Sequence, residues 1–199
     1  MICARMIRGS GRSRADWRSR AGWRSRAGFG WCLAAACVGL AGGLTPAAAD
    51  PAGTELKTPD DLTATLFAAE PLLSSPADID VDARGRVWVC EVTNYRDRRD
   101  ERTSGDRILV LEDTDGDGRA DSRTIFHQGR DVDSALGICV IGEGPGRRVI
   151  VSCAPEVFVL HDDDGDLVAD RKELLFTKTG QPQHDHSTHA FVVGPDGRL

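Results

Sequence analysis

Histidine and carboxylate side chains are concentrated in one short run of the sequence. Three of the five histidines lie in HDHSTH, at 184–189. Histidine is the natural general base near neutral pH, especially beside a carboxylate such as that of Asp185. The same spacing is also compatible with ligation of zinc or copper, and with histidines that merely occupy a loop. The candidate catalytic residues are therefore His184, Asp185, His186 and His189.

A second chemically suggestive feature is an acidic motif that occurs twice. ILVLEDTDGDGRADSRTIF stands at 108–126 and VFVLHDDDGDLVADRKELL at 157–175, with a constant offset of 49 residues. Aspartates that alternate around glycine let a tight loop turn several carboxylates toward one centre, and Ca²⁺ prefers about six to eight oxygen ligands. The alternative is a solvated acidic turn in which Asp and Gly only supply the backbone angles. The predicted Ca²⁺ ligands are Asp113, Asp115, Asp117 and Asp121 in the first loop, and Asp162, Asp164, Asp166 and Asp170 in the second.

The two acidic loops are not equally suited to a metal. An EF-hand loop carries Glu at its twelfth position, where the first loop has Thr124. The second loop has Glu173 there, but Leu167 replaces the glycine of the sixth position. Because glycine adopts a sharp turn at the lowest steric cost, the sequence favours the first loop as the Ca²⁺ site.

The elements that must position these residues are β-strands. After residue 62 the apolar runs are short, rich in Val, Ile, Leu and Phe, and bounded by Gly, Pro and Asp, without a sustained helical period. Two four-stranded units are predicted, at 77–82, 86–92, 107–112 and 123–127, and at 137–141, 147–152, 156–161 and 172–177; a third begins near 189. A four-stranded repeat of about 40–60 residues is typical of a β-propeller blade. The predicted fold class is all-β, an incomplete β-propeller of about two and a half blades.

The loops that lead into the innermost strand of each blade should meet at one mouth of the central channel. These loops are 74–78, 131–136 and the histidine run, so Asp78, Asp133 and Ser134 are expected near the histidines. The residues after the second strand of the first unit combine charge, amide and ring, which is compatible with a site or with an exposed connection; they are Glu91, Asn94, Tyr95 and Arg96.

The first 49 residues differ sharply in charge from the rest of the chain. They hold eight Arg and one Asp, whereas the remaining 150 residues hold 17 Lys and Arg against 30 Asp and Glu. The apolar stretch 31–44 is too short to span a bilayer comfortably, and the small residues 47–49 follow it. These features predict a signal peptide at 1–49 with an extended Arg-rich basic region, and an uncleaved anchor is the alternative.

The signal peptide predicts export to the periplasm or the extracellular space. A linker is then expected at 50–61 and a partial propeller at 62–199, with blade one at about 64–130, blade two at about 131–180 and the start of blade three at about 186–199. The acidic balance after residue 49 argues against a nucleic-acid partner. Membrane contact is expected only through the signal segment.

Three cysteines, Cys90, Cys139 and Cys153, follow the predicted signal peptide. A hairpin that turns near 144–147 would put Cys139 and Cys153 opposite each other, which allows a disulfide. The alternative is three buried thiols that pack as small apolar groups. The sequence has no Cys-x-x-Cys-His, so it holds no c-type haem site of its own.

Consecutive motifs carry a family resemblance over 62–199: VWVCEVTNYR, GDRILVLEDTDGDGRAD, DVDSALGICV, VIVSCAPEVFVL and HDHSTHAFVVGPDGRL. Together they resemble the N-terminal propeller of the membrane-bound dehydrogenase family, also labelled PVC-type haem-binding proteins. Members of that family are usually far longer. They continue through further blades, often a helical-repeat region, and a c-type haem domain.

That family is in turn similar to the soluble quinoprotein sugar dehydrogenases, which carry a catalytic histidine eight residues before the first glycine of an FGPDG-like turn. Here Gly194 begins GPDG, and the residue eight positions earlier is His186. The resemblance implies that His186 takes the hydroxyl proton of the substrate while pyrroloquinoline quinone (PQQ) accepts the hydride. It also implies that most contacts to the quinone come from later blades.

The leading interpretation is an exported, calcium-stabilised fragment of a dehydrogenase-like propeller that is inactive alone. The full-length form is expected to oxidise a sugar or alcohol with a quinone, and to pass electrons to a c-type haem in a missing C-terminal region. One alternative is a non-catalytic, calcium-stabilised propeller that binds polysaccharide or protein. Another is a calcium-dependent, lactonase-type hydrolase whose metal lies on the channel axis.

Overall fold

The computed structural model describes residues 3–8, 58–96, 100–181 and 187–199. Contacts divide the chain into one unit of 1–6 with 64–199 and a second unit of 7–63. Both larger sheets lie in the first unit, and little of the second is described. Among the described residues, no helix has the length and apolar character needed to cross a lipid bilayer.

Ten strands and one 3₁₀ turn, Arg130–Val132, make up the described secondary structure. The strands are β1 Cys3–Arg8, β2 Leu62–Ala68, β3 Pro76–Val81, β4 Val87–Glu91, β5 Asp106–Glu112, β6 Ser122–Gly129, β7 Gly137–Ile141, β8 Arg147–Cys153, β9 Glu156–Asp162 and β10 Arg171–Thr177. Sheet one has the order β3-β4-β5-β6 and sheet two the order β7-β8-β9-β10. Both are antiparallel, and β1 and β2 form a separate two-stranded sheet.

The all-β class is confirmed, and the eight strands predicted for the two units all form, each within two residues of its predicted bounds. The predicted third unit differs, because 187–199 contains a turn and no strand. A strand is stabilised by a paired neighbour, and no described segment pairs with these residues. Most of the predicted signal peptide and linker lies outside the described residues, although β1 falls within it.

The central strands form where the apolar runs are continuous. β4 is buried at every position, and β5 is buried at all but its second and last positions. A strand covered on both faces has no polar face to alternate with, so it shows no period of two. The first strand of sheet one, β3, shows the alternation of a strand that is only half covered.

Sheets one and two pack face to face through a common apolar core. Trp88 and Phe126 of sheet one meet Val149, Val151 and Phe158 of sheet two in this cluster. The Trp88 and Phe126 rings lie edge to face, with centroids 4.9 Å apart at 72°. Such aromatic pairs contribute about 0.5–1.5 kcal/mol beyond the area that they bury.

The strand β2 covers the opposite face of sheet one, where Phe67 packs against Val89 and Leu109. The Ala120 N–H donates to the Phe67 carbonyl at 2.7 Å. In the same way, the Ala169 N–H donates to the Phe126 carbonyl of β6 at 2.9 Å. Ala120 and Ala169 are 49 residues apart, which is the offset of the acidic motif, so they are equivalent positions. The contact of β2 with sheet one is therefore equivalent to the contact of β6 with sheet two.

Carboxylates of β3 satisfy the open edge of β7. Asp78 accepts a hydrogen bond from the Ile138 N–H at 2.9 Å, and Asp80 accepts one from the Val140 N–H at 2.7 Å. An unpaired strand edge is otherwise a template for pairing with another chain. The two sheets are therefore joined along their first strands by polar contacts as well as by the core.

Of the two alternatives for Cys139 and Cys153, a disulfide or buried thiols, the structure shows buried thiols. The hairpin register pairs Cys139 with Ile150, so the two cysteines are not opposite each other. Cys153 lies in the core between the sheets, whereas Cys139 lies in a cluster on the other face of sheet two. Side chains on opposite faces of a strand pair cannot be bridged. Cys90, Cys139 and Cys153 are all free and buried.

Candidate functional site

The first acidic loop, loop one (113–121), joins β5 to β6 and gathers three carboxylates. Ligand oxygens of Asp113, Asp115 and Asp117 all lie within 4.8 Å of one another. Asp113 accepts the N–H groups of Gly116 at 2.7 Å and of Gly118 at 2.9 Å, which wraps the backbone around it. Three converging carboxylates repel one another, so their chemistry fits a hard cation such as Ca²⁺.

The second acidic loop, loop two (162–170), joins β9 to β10 and repeats this arrangement with one difference. Asp162, Asp164 and Asp166 also offer oxygens within 4.8 Å of one another. The Asp162 side chain, however, is fully buried and pairs with the guanidinium of Arg147, which is 1% exposed. The first carboxylate of loop two therefore already has a cationic partner.

The fourth predicted ligand of each loop has a different task. Asp121 accepts hydrogen bonds from the Thr114 N–H at 3.2 Å and from its hydroxyl at 2.8 Å. Asp170 accepts the Asp163 N–H at 2.7 Å. In each loop this aspartate ties the end of the loop to its beginning, and it does not join the converging trio. A loop that concentrates carboxylates needs such a closure. The spacing of the aspartates in the sequence does not show whether the fourth one closes the loop or binds a metal.

The histidine run is only partly described. His184, Asp185 and His186 lie outside the described residues. His189 is described and exposed, and its carbonyl oxygen lies against Gly137, where a Cβ atom would overlap it. Gly137 thus permits the close approach of the segment that follows the run to the first strand of sheet two.

A residue before the histidine run, Gly180, and a residue within it, Ser187, meet at the β8–β9 turn. A Cβ atom at Gly180 would lie 2.6 Å from the Ser187 Cβ and 3.6 Å from the Ala154 Cβ. The Thr179 N–H donates to the Pro155 carbonyl at 3.1 Å. The residues 179–180 before the run and Ser187 within it are therefore held beside 154–155.

The same turn lines a cleft, which we define by its lining residues. It has a volume of about 250 Å³ and is lined by Arg130, Asp131, Asp133, Cys153, Ala154, Pro155 and Glu156. The structure thus brings the loop after β6, the β8–β9 turn and Ser187 of the histidine run to one place. Of the residues expected near the histidines, Asp133 lines this cleft, whereas Asp78 is hydrogen-bonded to Ile138.

Charges in the cleft are fixed by their partners. Asp131 Oδ1 lies 3.0 Å from His127 Nε2, and Lys172 Nζ donates to Asp131 Oδ2 at 3.1 Å. Burial alone would raise the pKa of Asp131, but the contacts with His127 and Lys172 outweigh it and lower that pKa. Arg130 donates to Asp133 at 2.9 Å. The Asp131 carboxylate is therefore ionised at neutral pH.

Cys153 is not a nucleophile in this cleft. Its Sγ donates to the Asp133 carbonyl at 3.1 Å. Burial raises the pKa of the thiol to about 12, against an ordinary value of 9.0. Because the thiolate is the reactive form, this thiol is inert at neutral pH.

A buried hydrogen-bond network lies behind the cleft. Asp106, at the start of β5, accepts the N–H groups of Thr93 at 2.9 Å, Asn94 at 3.0 Å and Ser134 at 3.1 Å. Burial raises the pKa of Asp106 and the nearby Asp133 carboxylate adds to this, which together exceed the opposing effect of the hydrogen bonds. The candidates Asn94 and Ser134 thus serve to hold the loops that form the cleft.

Glu91 is the centre of a buried ion cluster at the end of β4. It accepts hydrogen bonds from Arg102 at 2.8 Å, from Arg107 at 2.6 Å and from the Ser74 N–H at 2.7 Å. With every partner satisfied inside the protein, Glu91 has a structural role. It fixes the long β4–β5 connection to the sheet.

Some site residues were not predicted from the sequence, and some predicted residues lie apart from the cleft. Tyr95 and Arg96 stack on each other, with the guanidinium carbon 5.1 Å from the ring centroid. Arg130 and Glu156 line the cleft without any motif to mark them. The only sequence signal for Asp106 was its position before an apolar strand, which is common in exposed turns.

Residues 49–199 match a family described as "Domain of unknown function (DUF7133)". The chain belongs to this family. No curated protein matches the chain. A solved structure, the holo form of the pyranose dehydrogenase PQQ domain from Coprinopsis cinerea, is similar at a TM-score of 0.45 and 20% identity, over 63% of this chain and 26% of that one. The DUF7133 chain thus spans about a quarter of the length of that solved chain.

The cleft among the described residues of the DUF7133 chain does not fit a quinone cofactor. PQQ is a polyanion, and the cleft presents the carboxylates of Asp131, Asp133 and Glu156 against the single guanidinium of Arg130. Arg130 is already paired with Asp100 and Asp133. An anionic ring system would therefore meet net repulsion here.

Proposed function

We propose that the DUF7133 chain is the substrate-binding part of an exported, dehydrogenase-like protein that oxidises a sugar or related alcohol. The observation that carries this proposal is the cleft beside Ser187 of the histidine run. Charged acceptors and donors line it, and Gly180 and Ser187 lie beside Ala154, which is one of the lining residues. The resemblance of the sequence to dehydrogenase propellers points to the same reaction class.

The size and chemistry of the cleft suit a small polyol. Its volume of about 250 Å³ lies below the range of about 300–1,000 Å³ that is typical of drug-sized ligands. Carboxylates accept hydrogen bonds from hydroxyl groups, and Arg130 donates them. Asp131 is held in place by His127 and Lys172, so it is a fixed acceptor. A monosaccharide satisfies these groups better than an anionic ligand does.

His186 is the proposed general base, which accepts the proton of the substrate hydroxyl. The carboxylates of the cleft orient the sugar, and the ionised state of Asp131 favours a protonated histidine after the transfer. The hydride acceptor is not supplied by the described residues. It is proposed to be held, with the c-type haem that receives the electrons, by other parts of the full-length protein.

The decisive experiment is dye reduction by the full-length protein on a panel of aldoses and polyols. His186→Ala is expected to abolish turnover, and Val192→Ala, six residues later, is the control because the Val192 side chain is 78% exposed and has no assigned role. Glu156→Gln should raise KM about tenfold or more, the value of a hydrogen bond to a charged group. Turnover that is unchanged in His186→Ala would rule the proposal out.

The same experiment tests the non-catalytic alternative. If no sugar is oxidised but a glycan or protein binds equally well to the wild type and to His186→Ala, the chain is a binding module. No observation favours the lactonase alternative. Among the described residues, the groups of three converging acidic side chains are those of loops one and two, which connect outer strands.

Calcium at loop one is the second part of the proposal, and Asp113, Asp115 and Asp117 are its ligands. Binding to the native state alone stabilises a protein by about 2.7 kcal/mol at a ligand concentration one hundred times the Kd. Calcium is therefore expected to raise the thermal midpoint of the chain, and chelation to lower it. The Asp115→Asn variant should lose the response, and a response that persists would contradict this assignment.

A further inference from the structure

Each sheet buries an arginine at the start of its second strand, directly after a glycine. These residues are Arg86 in sheet one and Arg147 in sheet two. Arg86 donates to Asp82 at 2.7 Å, and Trp88 donates to the same carboxylate at 3.0 Å. Sixty residues after Asp82 sheet two has Gly142. The one carboxylate of that turn, Glu143, pairs with Arg84 of sheet one at 3.1 Å rather than with Arg147.

Arg147 is instead paired with loop two. Its guanidinium donates to Asp162 Oδ2, and the other oxygen of that carboxylate accepts the Gly165 N–H at 2.6 Å. The two side chains are 1% and 0% exposed. A buried arginine that lost this partner would be left as an unpaired charge, which costs several kcal/mol. The pair is therefore a fixed part of the sheet.

A cation bound by loop two would have to lie next to this guanidinium. Asp162 is one of the three residues whose carboxylates converge there, and it is the one that carries the arginine. Like charges at a separation of a few ångströms repel strongly where water is excluded. Loop two therefore already holds a buried positive charge next to its first aspartate, and the protein itself supplies that charge.

The backbone of loop two is also supported without a metal. Leu167 occupies the position of Gly118 and adopts a φ of 69°, close to the 91° of that glycine. A left-handed conformation is unfavourable for leucine. The Leu167 side chain packs against the core between the two sheets. Apolar packing thus offsets the strain and holds the loop in the shape that loop one shares.

We propose that loop two is not a calcium site and that Arg147 is its built-in counter-ion, so that calcium binding is confined to loop one. This inference rests on the proposed function in one respect: the calcium site to which binding is confined is the one proposed for loop one. It assigns the second acidic motif a metal-independent role, in which an internal salt bridge and a half-buried leucine do what a cation does in loop one.

The test is calorimetric titration of the full chain with CaCl₂, using a matched pair of variants. The wild type is expected to bind Ca²⁺ at a single site. Asp115→Asn should abolish that binding and Asp164→Asn, its exposed equivalent in loop two, should leave it unchanged. Two sites in the wild type, or a loss of binding in Asp164→Asn, would overturn the inference.

A second variant tests the role of the arginine directly. Arg147→Gln is expected to gain calcium binding that Asp164→Asn removes again, whereas Arg86→Gln, whose partner is Asp82, should gain none. If Arg147→Gln folds and gains no site, the counter-ion role is refuted. If it does not fold, the stoichiometry of the wild type and of Asp164→Asn still decides the question. If the wild type binds no calcium but Arg147→Gln does, loop one fails as a site while the inference for loop two stands.

Discussion

Sheets one and two have the same strand order and the same acidic loop, but they differ at the opposite end. In sheet one the second and third strands are joined by the long connection 92–105, and in sheet two by Ala154 and Pro155 alone. The long connection needs the buried Glu91 cluster and the Asp106 network to hold it. The short turn needs neither, and it leaves room for the cleft.

This difference separates the parts of the two sheets that have a structural role from the end that forms the candidate binding site. The strands and acidic loops recur because each sheet must pack on its neighbour and close its outer turn. The end that carries the cleft departs from the repeat, since a binding site needs different groups from different sheets. Changes made at the two ends of the sheets should therefore have different consequences.

Removal of the Glu91 carboxylate is expected to have the largest effect. Glu91→Ala leaves Arg102 and Arg107 without their shared partner, and breaking a buried ion pair costs about 3–5 kcal/mol. Urea unfolding measures the change in the free energy of unfolding. The control in sheet two is Ser152→Ala, which removes one hydrogen bond to the Thr188 carbonyl and should cost about 1 kcal/mol. Equal losses of unfolding free energy in the two variants would contradict the larger structural role that we assign to the buried cluster of sheet one.

Loss of the Asn94 side chain should have the next largest effect. Asn94 bonds the Arg102 carbonyl at 2.8 Å, the Arg102 N–H at 2.8 Å and Asp133 at 3.0 Å. Unpairing buried groups costs about 1–3 kcal/mol. Asn94→Ala is therefore expected to speed hydrogen exchange at the Arg102 amide far more than in sheet two. Exchange that is faster throughout both sheets would indicate global destabilisation instead.

The pH dependence of stability should have opposite signs at Asp106 and Asp131. The pKa of Asp106 is raised, mainly by burial, so its contribution is present below the ordinary pKa near 3.8 and is lost as the pH rises through the raised value. The pKa of Asp131 is lowered, so its contribution is present above that value and is lost as the pH falls. Relative to the wild type, Asp106→Asn should thus gain stability with rising pH and Asp131→Asn should lose it.

Unfolding measured by urea at pH values from acid to neutral checks both slopes. Slopes of the same sign would mean that the two carboxylates do not differ in environment as the structure shows.

The chemical reactivity of the Cys153 thiol gives the last prediction, which is expected to involve the smallest change in stability. A pKa of about 12 at Cys153, against 9.0, lowers the thiolate population about a thousandfold. Alkylation by iodoacetamide at pH 8 should therefore be slow in the native protein and rapid in urea. Mass spectrometry of the labelled peptides identifies the site, and rapid native labelling of Cys153 would contradict its placement.

The strands and the convergence of the acidic loops could be predicted from the sequence because they depend on local patterns. Continuous apolar runs mark strands that are buried on both faces, and Asp-Gly alternation marks a tight loop. The contacts of Asp106 could not be predicted, since Thr93 and Ser134 reach it from two other connections. The cysteine register also escaped prediction, because it depends on how many residues the hairpin turn uses.

The partner of Arg147 illustrates a second limit of prediction. The two arginines occupy equivalent positions, yet one pairs with the preceding turn and the other with an acidic loop. The exchange follows from a single aspartate that sheet one has and sheet two lacks. Such a dependence between distant positions is visible only when the sheet is folded.

The placement of β2 has a consequence for the order in which such a protein can fold. Because β2 packs on sheet one and its Phe67 carbonyl accepts the Ala120 N–H from the loop between the last two strands of that sheet, β2 reaches its final place only when that loop is present. Contacts between residues so far apart in sequence form slowly, since a large loop must close first. The strand β2 is thus synthesised before the sheet on which it packs, and its backbone contact can form only once the chain as far as Ala120 has been made.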